Sequence, residues 1–146
     1  MQGTFKTDNK FEKRVELCRR ISKQYPTRVP VIVELAPKTK LKLNRTKFLA
    51  PQNISVGGLL NEIRRQSSLQ PAQAIFLFCG STGTLVPTSQ TLLQVREKFK
   101  DEDGFLYFTV AMENTFGAFQ SIEDFSQKCL DGALKTSAKI ASKFYL

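Results

Sequence analysis

Apolar residues recur at helical spacing in three segments of the chain, which predicts three amphipathic helices. Pro26 closes the first helix, Ser55 caps the second, and the third follows Thr88 and Ser89. Their apolar faces are, in chain order, Phe11, Val15, Cys18, Ile21 and Tyr25; Val56, Leu59, Leu60 and Ile63; and Leu92, Val95 and Phe99. Residues 1–10 are polar and basic, which leaves a short helix or a mobile arm open there.

Runs of β-branched and aromatic residues predict strands at residues 29–35, 47–50, 75–79 and 105–110, with a brief strand at 85–86. Pro30 favours an early or edge position in the sheet for the first strand, and Pro51 stops the second. Residues 37–46 form a basic loop, and residues 80–84 form a turn. Two adjacent strands, a helix and then further strands are the order of an α+β β-grasp domain, with one helix across one face and an additional basic helix in front.

The last 29 residues, 118–146, are patterned, so we predict a C-terminal helical extension. Ser121 can cap this helix, and Glu123 and Asp124 then lie in its first turn, where the helix dipole favours acidic side chains. The predicted organisation is a basic helical segment (1–25), the β-grasp domain (26–117) and the extension (118–146).

Composition argues against several functional classes. At 146 residues with 41% hydrophobic content, the chain suits one domain with a real core. No apolar run reaches the roughly 20 residues of a spanning helix, and the N-terminus lacks a secretory h-region, so we expect a cytoplasmic protein. Histidine is absent and the three cysteines are far apart, which predicts bland thiols, no metal, no cofactor and no catalysis. We interpret the carboxylates at 101–103 as a solvated turn.

The net charge of +9 is concentrated in the first third of the chain. Residues 1–47 hold 13 Lys/Arg and 4 Asp/Glu, whereas residues 48–146 hold 9 of each. This asymmetry favours a basic face for an acidic protein, an anionic membrane or nucleic acid, or a solvated surface that binds nothing in particular. Few aromatic residues alternate with the basic ones, so nucleic acid is the weakest of these interpretations.

Phe116 and Gly117 follow the last predicted strand, and a glycine there suggests a chain end that is joined to another molecule. Its carboxylate is the least hindered acyl group of a protein, because glycine has no Cβ and can thread a narrow enzyme slot. The 29 residues after Gly117 would first have to be removed.

Six segments, taken together and in order, resemble the autophagy ubiquitin-like modifiers, the family of the GABA-receptor-associated protein and the microtubule-associated protein light chains. The matching segments are residues 11–14, 25–34, 47–51, 87–89, 101–107 and 113–117. The resemblance implies a ubiquitin-like β-grasp with two N-terminal helices. It also implies cleavage after Gly117 by a cysteine protease, and transfer of the glycine by activating and conjugating enzymes to phosphatidylethanolamine. The implied product is a monomer on the autophagosome membrane.

The resemblance further implies binding of cargo receptors and adaptors that carry short motifs with one aromatic and one aliphatic anchor, added as a strand along residues 47–50. The implied aromatic pocket comprises Leu17, Ile21, Pro30, Ile32, Lys47, Leu49 and Phe105. The implied aliphatic pocket comprises Phe48, Ala50, Pro51, Ile54, Leu59 and Ile63. Arg28, Arg45 and Lys47 would meet acidic residues that flank such motifs. Phe48 and Leu49 are the strongest groove candidates, because neighbours in a strand face opposite sides.

Two alternatives remain open. In the first, the chain is never conjugated, and it is an adaptor that binds acidic partners such as tubulin through its basic N-terminal third. The second concerns the extension, which is either a removable propeptide or a retained helix that docks on the groove or on a membrane.

Overall fold

The computed structural model describes residues 4–112, which form four helices and five strands. The helices are α1 (Phe5–Asp8), α2 (Phe11–Gln24), α3 (Val56–Arg65) and α4 (Leu92–Phe99), and the strands are β1 (Arg28–Leu35), β2 (Lys47–Pro51), β3 (Ile75–Cys79), β4 (Thr84–Leu85) and β5 (Leu106–Met112). Of the two alternatives for residues 1–10, the short helix is found within the part of that segment that the structure describes, residues 4–10. The brief strand lies one residue earlier than predicted.

The strands form one mixed sheet in the order β2-β1-β5-β3-β4, with β1 and β5 parallel at its centre and the other neighbours antiparallel. This arrangement is the predicted β-grasp. The suggestion that Pro30 marks an edge strand is wrong, because β1 is central. Pro30 is nevertheless early in β1, and the pairing with β5 begins only at Val31, so its missing N–H disrupts no bond on that side.

Side-chain alternation along the strands gives the sheet two covered faces. One face carries the main core, in which Val31 and Phe108 are almost fully buried together with residues of α3 and α4. The opposite face carries a smaller cluster in which Ile32 and Phe105 pack with residues of α1 and α2. The helices therefore lie on both faces of the sheet, and β1, β2, β3 and β5 bury side chains on both faces, whereas the short edge strand β4 is exposed.

Capping side chains set where the helices begin. Ser55 accepts a hydrogen bond from the Gly58 N–H at the start of α3, as the sequence predicts. Helix α4 begins at Leu92, the first residue of its predicted apolar face, and Thr91 and Gln94 form its capping box.

Candidate functional site

Strand β2 is an edge of the sheet, so one row of its backbone groups is directed away from β1. The Val33 N–H donates to the Thr46 carbonyl over 2.7 Å, and the bonding positions of an antiparallel pair alternate from there. The N–H and C=O groups of Lys47 and Leu49 consequently point outward. An extended peptide can pair with this row and extend the sheet by one strand.

The side chains of β2 alternate between the two faces of the sheet. Phe48 and Ala50 are each 7% exposed and belong to the main core beside α3. Lys47 and Leu49, at 1% and 4% exposed, point to the face of α1 and α2. An added strand whose two anchors are an odd number of residues apart would send one anchor toward each face.

The residues of the predicted aromatic pocket lie on the α2 side of this edge. Ile32 and Phe105 are buried, and Leu17 and Ile21 of α2 pack against them while remaining half-buried. Pro30 is buried and lies opposite Leu49 in the pairing of β1 with β2.

Phe5 is the member of this cluster that the sequence analysis missed. It is 1% exposed, and its ring meets Phe105 edge-to-face with centroids 5.2 Å apart. Its backbone N–H donates to Glu34 Oε2 over 2.9 Å, and the Lys47 ammonium lies 5.4 Å from its ring centroid. Burial lowers the pKa of Lys47, and nearby Lys13 adds to the effect. The N-terminal helix α1 is thus part of the floor beneath the predicted pocket. The residue that could have predicted this helix from the sequence is Thr4, which caps it.

The residues of the predicted aliphatic pocket are distributed between the core and the surface. Leu59 and Ile63 of α3 are almost fully buried in the main core. Ile54 is half-buried against that core, and Pro51 is exposed at the end of β2. Ile54 and Pro51 are therefore the accessible part of this set.

The three predicted rim cations occupy different environments. Arg28 and Arg45 are half-buried, whereas Lys47 is covered. The Arg28 guanidinium donates to the Leu49 carbonyl through Nη1 over 3.0 Å. The positive charge of Arg28 is therefore held beside the Leu49 carbonyl, one of the backbone groups of β2 that point away from β1.

The interpretation of residues 101–103 as a solvated turn is wrong for Asp103. This carboxylate is 2% exposed, accepts from Arg14 Nη1 over 2.8 Å and from the Tyr107 hydroxyl, and accepts the Phe105 N–H over 2.8 Å. Burial and the Asp103 carboxylate raise the pKa of Tyr107 above its ordinary value. These bonds tie α2 to the start of β5. Nearby, Asp101 accepts from Lys6 over 2.6 Å, while Glu102 is exposed.

The two cysteines that the structure describes are buried and unreactive thiols, as predicted. Cys18 and Cys79 are buried, and burial raises the pKa of the Cys79 thiol to about 12, so little reactive thiolate forms at neutral pH. Between residues 4 and 112 there is no cluster of three His, Cys, Asp or Glu side chains that could hold a metal ion. Over the same range, none of the helices has the length and apolar character to cross a bilayer.

Phe116, Gly117 and the predicted C-terminal helix lie outside the described residues, as does Cys129. The cleavage and conjugation prediction consequently stays a sequence-based one.

A five-stranded mixed sheet with a helix layer on each face and, among residues 4–112, with β2 at its edge defines a ubiquitin-like β-grasp protein. The family model described as "Autophagy protein Atg8 ubiquitin like" matches residues 13–117, so the chain belongs to the Atg8 family. Its match ends at Gly117. The chain is thus an autophagy protein of the ubiquitin-like type, and that family is one of non-enzymatic modifiers.

Individual relatives agree with this assignment. The chain is 45% identical over 115 residues to Autophagy-related protein 8e of Arabidopsis thaliana, covering 78% of this chain and 93% of that protein. It is 43% identical over 118 residues to Autophagy-related protein 8 of Dictyostelium discoideum, covering 80% and 95%. The crystal structure of Trypanosoma brucei ATG8 superimposes with a TM-score of 0.72 at 31% identity, covering 80% of this chain and all of that one.

Proposed function

We propose that this protein is conjugated to phosphatidylethanolamine through Gly117 and, on the autophagosome membrane, recruits cargo receptors through the β2 edge. The observation that carries receptor binding is the outward backbone row of β2 with apolar side chains on both faces of the same edge. The support for conjugation is Gly117 itself, the residue at which the family match ends. Before lipidation the protein belongs to the cytoplasm, and it acts as a monomer.

The conjugation step is tested with the full chain, the family's processing protease and mass spectrometry. The expected product comprises residues 1–117, and activating and conjugating enzymes should then add the mass of the lipid from phosphatidylethanolamine vesicles. Gly117→Ala should block lipid addition, because the new Cβ hinders the acyl carbon. Gly132→Ala is the matched control and should be processed normally. An intact chain, or lipid addition to Gly117→Ala, would refute the proposal.

Receptor binding is tested with a labelled peptide that carries an aromatic residue, an aliphatic residue three positions later and two acidic residues after that. Fluorescence anisotropy should show saturable binding that weakens as salt rises, since Arg28 and Arg45 attract the acidic flank. Arg28→Gln should reduce the salt dependence. Absence of binding at peptide concentrations in the millimolar range would rule out the β2 edge as a motif site.

The second candidate is an unconjugated adaptor that binds acidic proteins such as tubulin. It is favoured by the exposed basic side chains of α2, among them Lys13, Arg19, Arg20 and Lys23. This function predicts salt-sensitive binding to an acidic protein that Gly117→Ala leaves unchanged. Co-sedimentation with tubulin decides it, and charge reversal at Arg20 and Lys23 should abolish the interaction.

A further inference from the structure

We propose that residues 119–124 of the uncut chain occupy the β2 edge of the same molecule, so that the extension competes with receptors until it is removed. This inference rests on the proposed peptide-binding function. The extension contains Phe119, followed three positions later by Ile122 and directly afterwards by Glu123 and Asp124. It therefore contains an aromatic anchor, an aliphatic anchor and an acidic flank in one short run.

The spacing of the two anchors suits the geometry of the edge. Residues three apart in an extended strand point to opposite faces, and the aromatic and aliphatic sides of the β2 edge lie on opposite faces of the sheet. The other aromatic residue inside the extension's first ten positions, Phe125, is followed three positions later by Lys128 and so lacks an aliphatic partner. The extension thus offers one such pair here, Phe119 with Ile122.

The charges are also complementary. Glu123 and Asp124 follow the aliphatic anchor, and in a strand parallel to β2 they would lie near Pro51, where the half-buried Arg28 borders the edge. Arg28 already donates to the Leu49 carbonyl, an acceptor that an added strand would use. If the Arg28 guanidinium donated to one of these carboxylates instead, the Leu49 carbonyl would become available to the added strand. The new hydrogen bond would be charge-assisted on both sides and therefore stronger than the one it replaces.

Direction and reach permit the contact within one molecule. Strand β5 runs parallel to β1 and antiparallel to β2, so a chain that leaves β5 and returns along the edge runs parallel to β2. From Met112 to the level of Lys47 the path is about 17 Å along the strands and about 14 Å across three strand spacings, or roughly 22 Å in all. The seven residues from Met112 to Phe119 span at most about 23–25 Å. The tether suffices when it is nearly extended.

Docking requires Phe119 to Ile122 to be extended, which competes with the helix that Ser121 is predicted to cap. The extension is attached, so its effective concentration at the edge is at most of millimolar order, because a tether that must be nearly extended reaches the site less often than a slack one. If the detached segment binds with a dissociation constant of about 0.1 mM, the attached one lowers the apparent affinity for an outside peptide by at most about tenfold.

The test compares three full-length chains for binding of the labelled receptor-type peptide described above. Phe119→Ala combined with Ile122→Ala should bind it more tightly than the unmodified chain, by up to about tenfold. Phe125→Ala is the matched control, since it removes an aromatic residue of the same extension, and it should bind like the unmodified chain. Hydrogen exchange at the Leu49 amide should be slower in the unmodified chain than in the double variant.

Equal affinity of all three chains for the peptide would overturn the inference and leave the receptor-binding proposal standing. Failure of all three to bind would instead refute receptor binding itself. A difference that grows with protein concentration would place the extension in a neighbouring copy and overturn the intramolecular arrangement. Circular dichroism melts confirm that the variants are folded, and the substituted positions lie outside the described domain.

Discussion

Replacing Phe5 by alanine tests whether α1 is an integral part of the domain. The Phe5 ring is 1% exposed and meets Phe105 edge-to-face at 5.2 Å. Full burial of a phenylalanine contributes about 1.5–3 kcal/mol, and an edge-to-face pair adds about 0.5–1.5 kcal/mol. Because α1 has only four residues, it can detach as a unit, and its docking free energy limits the loss. We expect Phe5→Ala to lower the free energy of unfolding by about 2–3 kcal/mol.

Urea unfolding followed by circular dichroism measures this change as a lower midpoint at nearly constant slope. Phe11→Ala is the matched control, because Phe11 begins α2 in a comparable apolar position but is 44% exposed. Its loss should cost no more than about 0.5 kcal/mol, the usual range for surface substitutions. A change below about 0.5 kcal/mol for Phe5→Ala, no larger than that of an exposed residue, would show that the docking of α1 does not stabilise the fold. Weaker peptide binding by Phe5→Ala would additionally connect α1 to the pocket floor.

Three further predictions concern the same face of the sheet. Asp103→Asn leaves Arg14 buried without a counter-ion and should lower the free energy of unfolding, measured in urea, by about 3–5 kcal/mol. The double variant Asp103→Asn with Arg14→Met should lose less than the sum of the losses of the two single variants. Gly104→Ala places a Cβ 2.6 Å from the Cys18 sulfur at a residue whose φ is +96°, so it should lower the free energy of unfolding by about 1–3 kcal/mol. Adding Cys18→Ala should relieve the steric clash but not the backbone strain. An unchanged melting temperature for Gly104→Ala would contradict the argument. Burial raises the pKa of Glu34 from its ordinary value of 4.5, although its bond from a backbone N–H opposes this. Its stabilising contribution is therefore complete below about pH 4.5 and is lost as pH rises through the folded-state pKa. Glu34→Gln should gain stability relative to the unmodified chain between pH 4 and pH 7, and a difference independent of pH would refute this.

The elements of the fold were predictable because each has a local signal. Runs of β-branched and aromatic residues located the main strands, and Ser55 with the apolar spacing after it located α3. The capping residue of α4 was missed, since Thr88, Ser89 and Thr91 are equally suitable by type and only the hydrogen bonds select Thr91. Pro30 favoured an early or edge position because a proline removes a hydrogen-bond donor from the sheet; it lies early in the central strand β1, where the pairing with β5 begins one residue later.

For the candidate site, the sequence predicted the edge strand and the apolar residues around it but misjudged which of them are covered. Phe48 and Leu49 do face opposite sides, as alternation requires, yet both are nearly buried because helices lie on both faces. Whether these residues bind a peptide remains a prediction. The floor of the pocket was invisible, since Phe5 reaches it from 100 positions away from its partner Phe105.

Hydrophobic periodicity and turn residues by themselves determined the order of helices and strands, and with it the β-grasp class, and also the two-sided character of β2. These properties are local, because a period of 2 or 3.6 residues is set by backbone geometry alone. Only the tertiary structure decided that Asp103 is buried beside Arg14, that β1 is central and that α1 closes the floor with Phe5. Such contacts join residues far apart in the chain, and the free energy of excluding water from between them depends on packing that no local pattern records.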